Sequence, residues 1–249
     1  ISDGNGGTDT ATVTITVNGA DEPNTAPVAN DNSLALVPEA SGEFLVNEYT
    51  FLNQGGPVSL ELTNGNVVIL FESEAREQGD TSQYGVKAVI LNPDGSELVG
   101  EFLVNQQTNG SQGAVAATAL PDGGFFVVWY TSDSAQDGDG QAVKGRILNA
   151  DGTARTDEFL VNEVTAGFQA NATVSVLANG NIAVAWQSYV SADTSYDIKA
   201  RIFDADGDEV VSEFLVNSEL ADAQTHPDIT TLSNGNFIIT WTDSGATDD

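Results

Sequence analysis

The chain has 249 residues and a formal charge of −30, set by 37 Asp and Glu against 7 Lys and Arg. That balance excludes nucleic acid, which needs clustered Lys and Arg, and anionic membrane surfaces. No apolar run reaches the roughly 18 residues of a membrane span, and with no cysteine stability must come from packing, repetition or bound cations.

Residues 1–20 open on a Gly/Asp loop and then alternate strictly, Ala11, Val13, Ile15 and Val17 on one face and Thr10, Thr12, Thr14 and Thr16 on the other. Period two with β-branched residues predicts a half-buried strand, the last of a preceding β-sandwich module. Residues 21–32, "DEPNTAPVANDN", form a Pro/Asn/Asp linker. Ile1 opens no signal peptide, and the whole reads as a slice of something longer.

From Ser33 onward the chain repeats. "EFLVN" occurs at residues 43–47, 101–105, 158–162 and 213–217. Eleven residues after each of its glutamates stands a glutamine (Gln54, Gln112, Gln169, Gln224). Twenty-two after it stands a glycine (Gly65, Gly123, Gly180, Gly235), and twenty-eight after it an aromatic (Phe71, Trp129, Trp186, Trp241). Lys87, Lys144 and Lys199 lie fourteen residues before the later glutamates. The repeats are 58, 57 and 55 residues long, and all of the variation falls between the aromatic and the lysine, in one loop of free length per repeat.

Each period contains four strand candidates. The first, such as "AVAATAL", precedes an NG or DG turn whose central residues both tolerate positive φ. The second, such as "FFVVW", is apolar on both faces, as in a sheet covered on both sides. A third, such as "VKGRILN", follows the variable loop, and after another DG turn comes a fourth carrying EFLVN. Four antiparallel strands every 55–58 residues predict an all-β chain, a β-propeller-like array of four-stranded antiparallel blades, three complete and a fourth partial. The blades run about 48–105, 106–162, 163–217 and 218–249. A β-trefoil would stop at three copies. Residues 33–47 are expected to close the ring by supplying an outer strand; the alternative is that they end an earlier blade.

Two resemblances follow. "ISDGNGGTDTATVTITVNG" with "APVANDN" resembles the end of the cadherin-like or VCBS-type modules of giant bacterial surface proteins. The unit with "EFLVN", "NGN…W" and "ARIFDADG", over residues 43–249, is similar to repeats of large acidic type I-secreted adhesins of the RTX kind, although the nonapeptide "GGxGxD" is missing. The resemblance implies an extracellular, cell-surface, calcium-loaded modular protein.

Calcium takes six to eight oxygens on tight glycine-bent loops. Candidate ligands are Asp3, Asn5 and Asp9 on the first loop, Asp31 and Asn32 past the linker, Asp137 and Asp139 in the free loop of the second repeat, and Asp204, Asp206 and Asp208 in "DADGD". "DADGD" completes no EF-hand, because Leu215 stands where the twelfth-position glutamate is needed. Lys87, Lys144, Arg146, Lys199 and Arg201 recur on third strands, which points to cross-strand pairing with acids of the outer strand; the alternative is a ligand-binding ring for anionic sugars. The tryptophans read as blade-packing core, with carbohydrate stacking as the alternative, the glutamines as ties to backbone between blades, and the EFLVN asparagines as turn formers.

His226, the only histidine, has no nucleophile motif beside it, and no phosphate-binding glycine loop is present. The expectation is therefore a non-enzymatic, calcium-stabilised adhesive module. A glycan-binding lectin-type propeller and an accessory domain of an extracellular carbohydrate-active enzyme are the alternatives. Expected partners are calcium, glycans or other cell-surface ligands, and further copies through an exposed outer strand.

Overall fold

The computed structural model describes residues 44–50, 52–74, 83–133, 140–189 and 195–245. The expected sandwich strand, the linker and residues 33–43 of the closing segment lie outside them. Among the described residues the secondary structure is all β, in four antiparallel sheets. The first sheet is β1 (Gln54–Glu61), β2 (Val67–Ser73), β3 (Gly85–Leu91) and β4 (Glu97–Leu103), paired in that order. The second is β5 (Gln112–Ala119), β6 (Phe125–Thr131), β7 (Ala142–Leu148) and β8 (Phe159–Leu160). The third is β9 (Phe168–Val176), β10 (Ile182–Tyr189), β11 (Asp197–Phe203) and β12 (Glu209–Leu215). The fourth pairs β13 (Gln224–Thr231) with β14 (Phe237–Asp243). These are the blades of a β-propeller, with β1, β5, β9 and β13 innermost and each packed against the next.

The second strands are apolar on both faces because each sheet is sandwiched. Phe125, Val127 and Trp129 of β6 pack with Val68, Leu70, Val86 and Ile90 of the first sheet. Their neighbours Phe126 and Val128 pack the opposite way, against Ile182, Val184 and Trp186 of the third. Trp129 and Trp186 are fully buried, whereas Trp241, at the open edge of β14, is 37% exposed.

The hairpin turns differ from the expected two-residue form. Only the glycine of each NG or DG takes positive φ, as at Gly65 (83°) and Gly95 (83°). Gly65 N donates to Leu62 O, and Leu62 N donates to Asn66 O. The loop is thus a three-residue turn ending in a left-handed glycine. The Asn or Asp before it instead turns its side chain to accept from the backbone two residues on, as Asn64 does from Asn66 N at 3.0 Å.

Outer strand β8 is cut to two residues. Thr156 is the cause: its Oγ1 accepts from Ile147 N at 3.0 Å, taking a donor the ladder would use, while Arg155 N and Thr156 N both donate to Ile147 O.

EFLVN recurs because its copies at 101–105, 158–162 and 213–217 each make the same two connections. Its asparagine clamps the edge of its own blade: Asn105 Oδ1 accepts from Val86 N at 2.8 Å, and Nδ2 donates to Gln107 O at 2.8 Å. Asn162 and Asn217 do the same with Val143 and Ile198. Its glutamate ties blade to blade. Glu158 Oε1 accepts from Lys144 Nζ at 3.0 Å, while Oε2 accepts from Gln106 N at 2.7 Å, just past the asparagine of the preceding blade. Glu101 and Glu213 repeat this with Glu48 and Glu163. Residues 44–47 are in no strand, yet Val46 packs against Phe71, Val89 and Leu91, and Glu48 is held by Glu101.

Candidate functional site at the start of the inner strands

The repeated glutamine stands at or next to the start of each inner strand, which is interrupted two residues after it. Gly56, Ala114, Asn171 and His226 occupy that position with φ of 55°, 48°, 51° and 53°, and the pairing register of all four hairpins shifts beside them. A left-handed bulge at one level of each of the four sheets forms an open ring of kinked backbone along the packed series β1, β5, β9 and β13. Three of the four residues carry a Cβ, which makes this conformation costly, by about 1–2 kcal/mol for an alanine.

The residue after the aromatic slot of each second strand stands beside this ring: Glu72, Tyr130, Gln187 and Thr242 are register partners of Gly55, Gly113, Ala170 and Thr225. Two of these side chains satisfy the bulge of the following blade. Glu72 Oε1 accepts from Ala114 N at 2.6 Å. Gln187 Oε1 accepts from His226 N at 3.2 Å and also from Asn171 Nδ2 at 3.0 Å. Gly113 leaves room between the first two groups, since a Cβ there would lie 3.1 Å from both Glu72 Oε2 and the Tyr130 ring. A carboxylate and a phenol ring about Gly113, and two carboxamides with the exposed imidazole of His226 about Gln187, thus lie at the same end of the sheets, where β2, β6 and β10 finish and β3, β7 and β11 begin.

The repeated glutamines hold this end in place. Gln112 Nε2 donates to Asn109 O at 2.7 Å and Gln169 Nε2 to Ala166 O at 2.8 Å, so each grips the connector arriving from the previous blade. Trp241 Nε1 donates to Gln224 Oε1 at 2.6 Å.

The basic side chains are spent elsewhere. Lys87–Glu101 (2.5 Å), Lys144–Glu158 (3.0 Å) and Lys199–Glu213 (2.5 Å) are ion pairs across the third and fourth strands. Each lysine is also the register partner of its blade's aromatic, Phe71, Trp129 or Trp186. Arg146 Nη1 donates to Val104 O at 2.6 Å, and burial pushes its guanidinium below its ordinary pKa. Arg155 pairs with Asp122 at 2.5 Å.

Of the expected calcium ligands, Asp3, Asn5, Asp9, Asp31, Asn32, Asp137 and Asp139 lie outside the described residues. Asp204, Asp206 and Asp208 lie in the turn between β11 and β12, where Asp204 Oδ1 accepts from Asp206 N and Asp208 N, both at 2.9 Å. That carboxylate shapes the turn. Among the described residues no group of three or more His, Asp or Glu side chains is arranged to hold a metal ion. A shallow depression between the β9–β10 and β13–β14 turns, lined by Leu177, Ala178, Asn179, Gly235, Asn236 and Phe237, offers no ionisable group.

Sequence reasoning missed the ring. The available signal was a polar residue closing each apolar second strand, and a residue-before-proline pair at Gly56-Pro57 and His226-Pro227.

No protein-family model matches the chain, and no curated protein sequence matches it. Solved structures do resemble it. A protein of unknown function from Dyadobacter fermentans shares 12% identity over 76% of this chain and 62% of its own, with a TM-score of 0.55. An α-L-arabinanase from Penicillium chrysogenum, complexed with arabinobiose, shares 13% over 76% of this chain and 57% of its own, with a TM-score of 0.51. A point mutant of the NanB sialidase from Streptococcus pneumoniae shares 12% over 76% of this chain and 28% of its own, with a TM-score of 0.50. At such identities the likeness is one of fold. It nonetheless corrects the expectation that the chain is not an enzyme: the strand arrangement is one on which an arabinanase and a sialidase are built. The lack of a motif around His226 therefore does not exclude chemistry, because in a propeller the groups of a site come from different blades.

Proposed function

We propose that this chain is the carbohydrate-binding propeller of an extracellular carbohydrate-active enzyme, holding a glycan at the end of the sheets where the inner strands begin. The observation that carries the reading is the ring of left-handed bulges with Glu72, Tyr130, Asn171, Gln187 and His226 gathered on it. A sugar presents hydroxyls that donate and accept and a C–H face that stacks on aromatic rings. A carboxylate, two carboxamides and a phenol answer those needs on rigid backbone. The fold shared with an arabinanase whose structure holds arabinobiose supports the same reading. The chain spans 57% of that enzyme's length, so the activity of a whole enzyme is part of the proposal.

The test is calorimetric titration of the chain with arabino-, xylo- and sialyl-oligosaccharides, with reducing-sugar release measured in parallel. Saturable binding that Tyr130→Ala weakens at least tenfold is expected. Absence of binding across all three classes overturns the proposal. A surface location with calcium in the N-terminal acidic segments belongs to the same reading; a melting temperature unmoved by added calcium removes that part alone.

A further inference from the structure

We infer that the carbohydrate taken at this ring is neutral, and that sialylated or uronic sugars are rejected by charge. The inference rests on the glycan-binding reading and adds the class of ligand.

Recognition of a sugar carboxylate needs a cation that is free to meet it, and the Lys and Arg side chains of the described residues are all committed, which leaves the exposed imidazole of His226 as the one basic group at the ring among the described residues. Lys87, Lys144 and Lys199 are held by the EFLVN glutamates at 2.5, 3.0 and 2.5 Å. Arg155 is held by Asp122. Arg146 donates to Val104 O at 2.6 Å and Thr156 O at 3.2 Å. Arg201 donates to Val161 O at 2.9 Å and pairs with both Glu163 and Glu209. The seventh, Arg76, lies outside the described residues. The lysines, Arg146 and Arg201 belong to third strands, two strands away from the axis.

At the ring itself the fixed charge is negative. Glu72 is anchored by Ala114 N and cannot swing away without leaving that donor unsatisfied. Asp228 stands two residues beyond the fourth bulge, 3.4 Å from Thr173 Oγ1. A chain carrying −30 surrounds them. An incoming carboxylate would lose water and meet like charge, a juxtaposition that disfavours binding. A neutral sugar would meet only acceptors and donors.

The experiment titrates the intact chain, at about pH 8 and low salt, with neutral xylo- or arabino-oligosaccharides and with oligogalacturonate and sialyllactose. Neutral sugars bound at least tenfold more tightly, with the gap narrowing in salt and in Glu72→Gln, is the expected result. Anionic sugars bound as well as neutral ones overturn this inference and leave the binding site standing. A neutral preference that Glu72→Gln leaves unchanged overturns the charge argument. Failure of every sugar to bind overturns the underlying reading instead.

Discussion

Lys87 and Glu101 close an ion pair of 2.5 Å with both side chains fully withdrawn from water. The other oxygen of Glu101 accepts from Glu48 N at 2.8 Å, so one carboxylate neutralises a buried cation and fastens the blade to the segment before it. Removing one partner strands a buried charge, which typically costs about 3–5 kcal/mol. Lys87→Met or Glu101→Gln alone is expected to lower the denaturation midpoint strongly. The double variant, which leaves no unpaired charge, should recover a large part of the loss. Equal losses in the single and double variants would refute the coupling.

The bulge ring predicts an unusual pattern for glycine. Ala114 sits at φ 48° and makes its bond to Glu72 through the backbone N–H alone. Ala114→Gly is expected to stabilise the chain, by about 1 kcal/mol, because only glycine adopts this region without steric cost. Asn171→Gly should gain less or lose, since Asn171 Nδ2 also donates to Gln187 at 3.0 Å. Thermal melts of the two variants check the order.

Acid should loosen the hairpin ends before the core. The hydrogen bond from Arg155 holds the Asp122 carboxyl below its ordinary value of 3.8, and bonds from Ser96 and Thr153 do the same for Asp94 and Asp151. A carboxyl lowered on folding contributes stability that is complete above the unfolded value and is lost as pH falls through the lower folded one. The loss should therefore begin below about pH 4. For the half-exposed Asp122–Arg155 pair it should amount to roughly 0.5 kcal/mol. Asp122→Asn should remove that part of the pH dependence and leave stability at neutral pH little changed. An unaltered acid limb in the variant would refute it.

Asn105 is buried and accepts from Val86 N at 2.8 Å while donating to Gln107 O at 2.8 Å. Asn105→Leu leaves a buried N–H without its acceptor, at a cost of about 1–3 kcal/mol. Hydrogen exchange should show the Val86 amide and the connector to the second blade losing protection first.

The spacing of glutamine, glycine and aromatic determined the blade, because hairpin turns and two-faced apolar strands are local patterns of a few residues. It also placed lysine and glutamate fourteen residues apart, and the structure pairs them. The asparagine of EFLVN, expected as a turn former, also caps a third-strand amide nineteen residues away, a partner that only the sheet brings near. The bulges were hidden because four different residues, Gly, Ala, Asn and His, adopt one conformation, and only Ala114 and His226 are held in it by a side chain of the adjoining blade. Glu72 and Ala114 lie forty-two residues apart and meet only once the sheets are stacked face to face. Sequence alone thus settled what each blade is, through short-range backbone preference and burial; the assembly around the axis decided which side chains share a site, because that depends on contacts between blades.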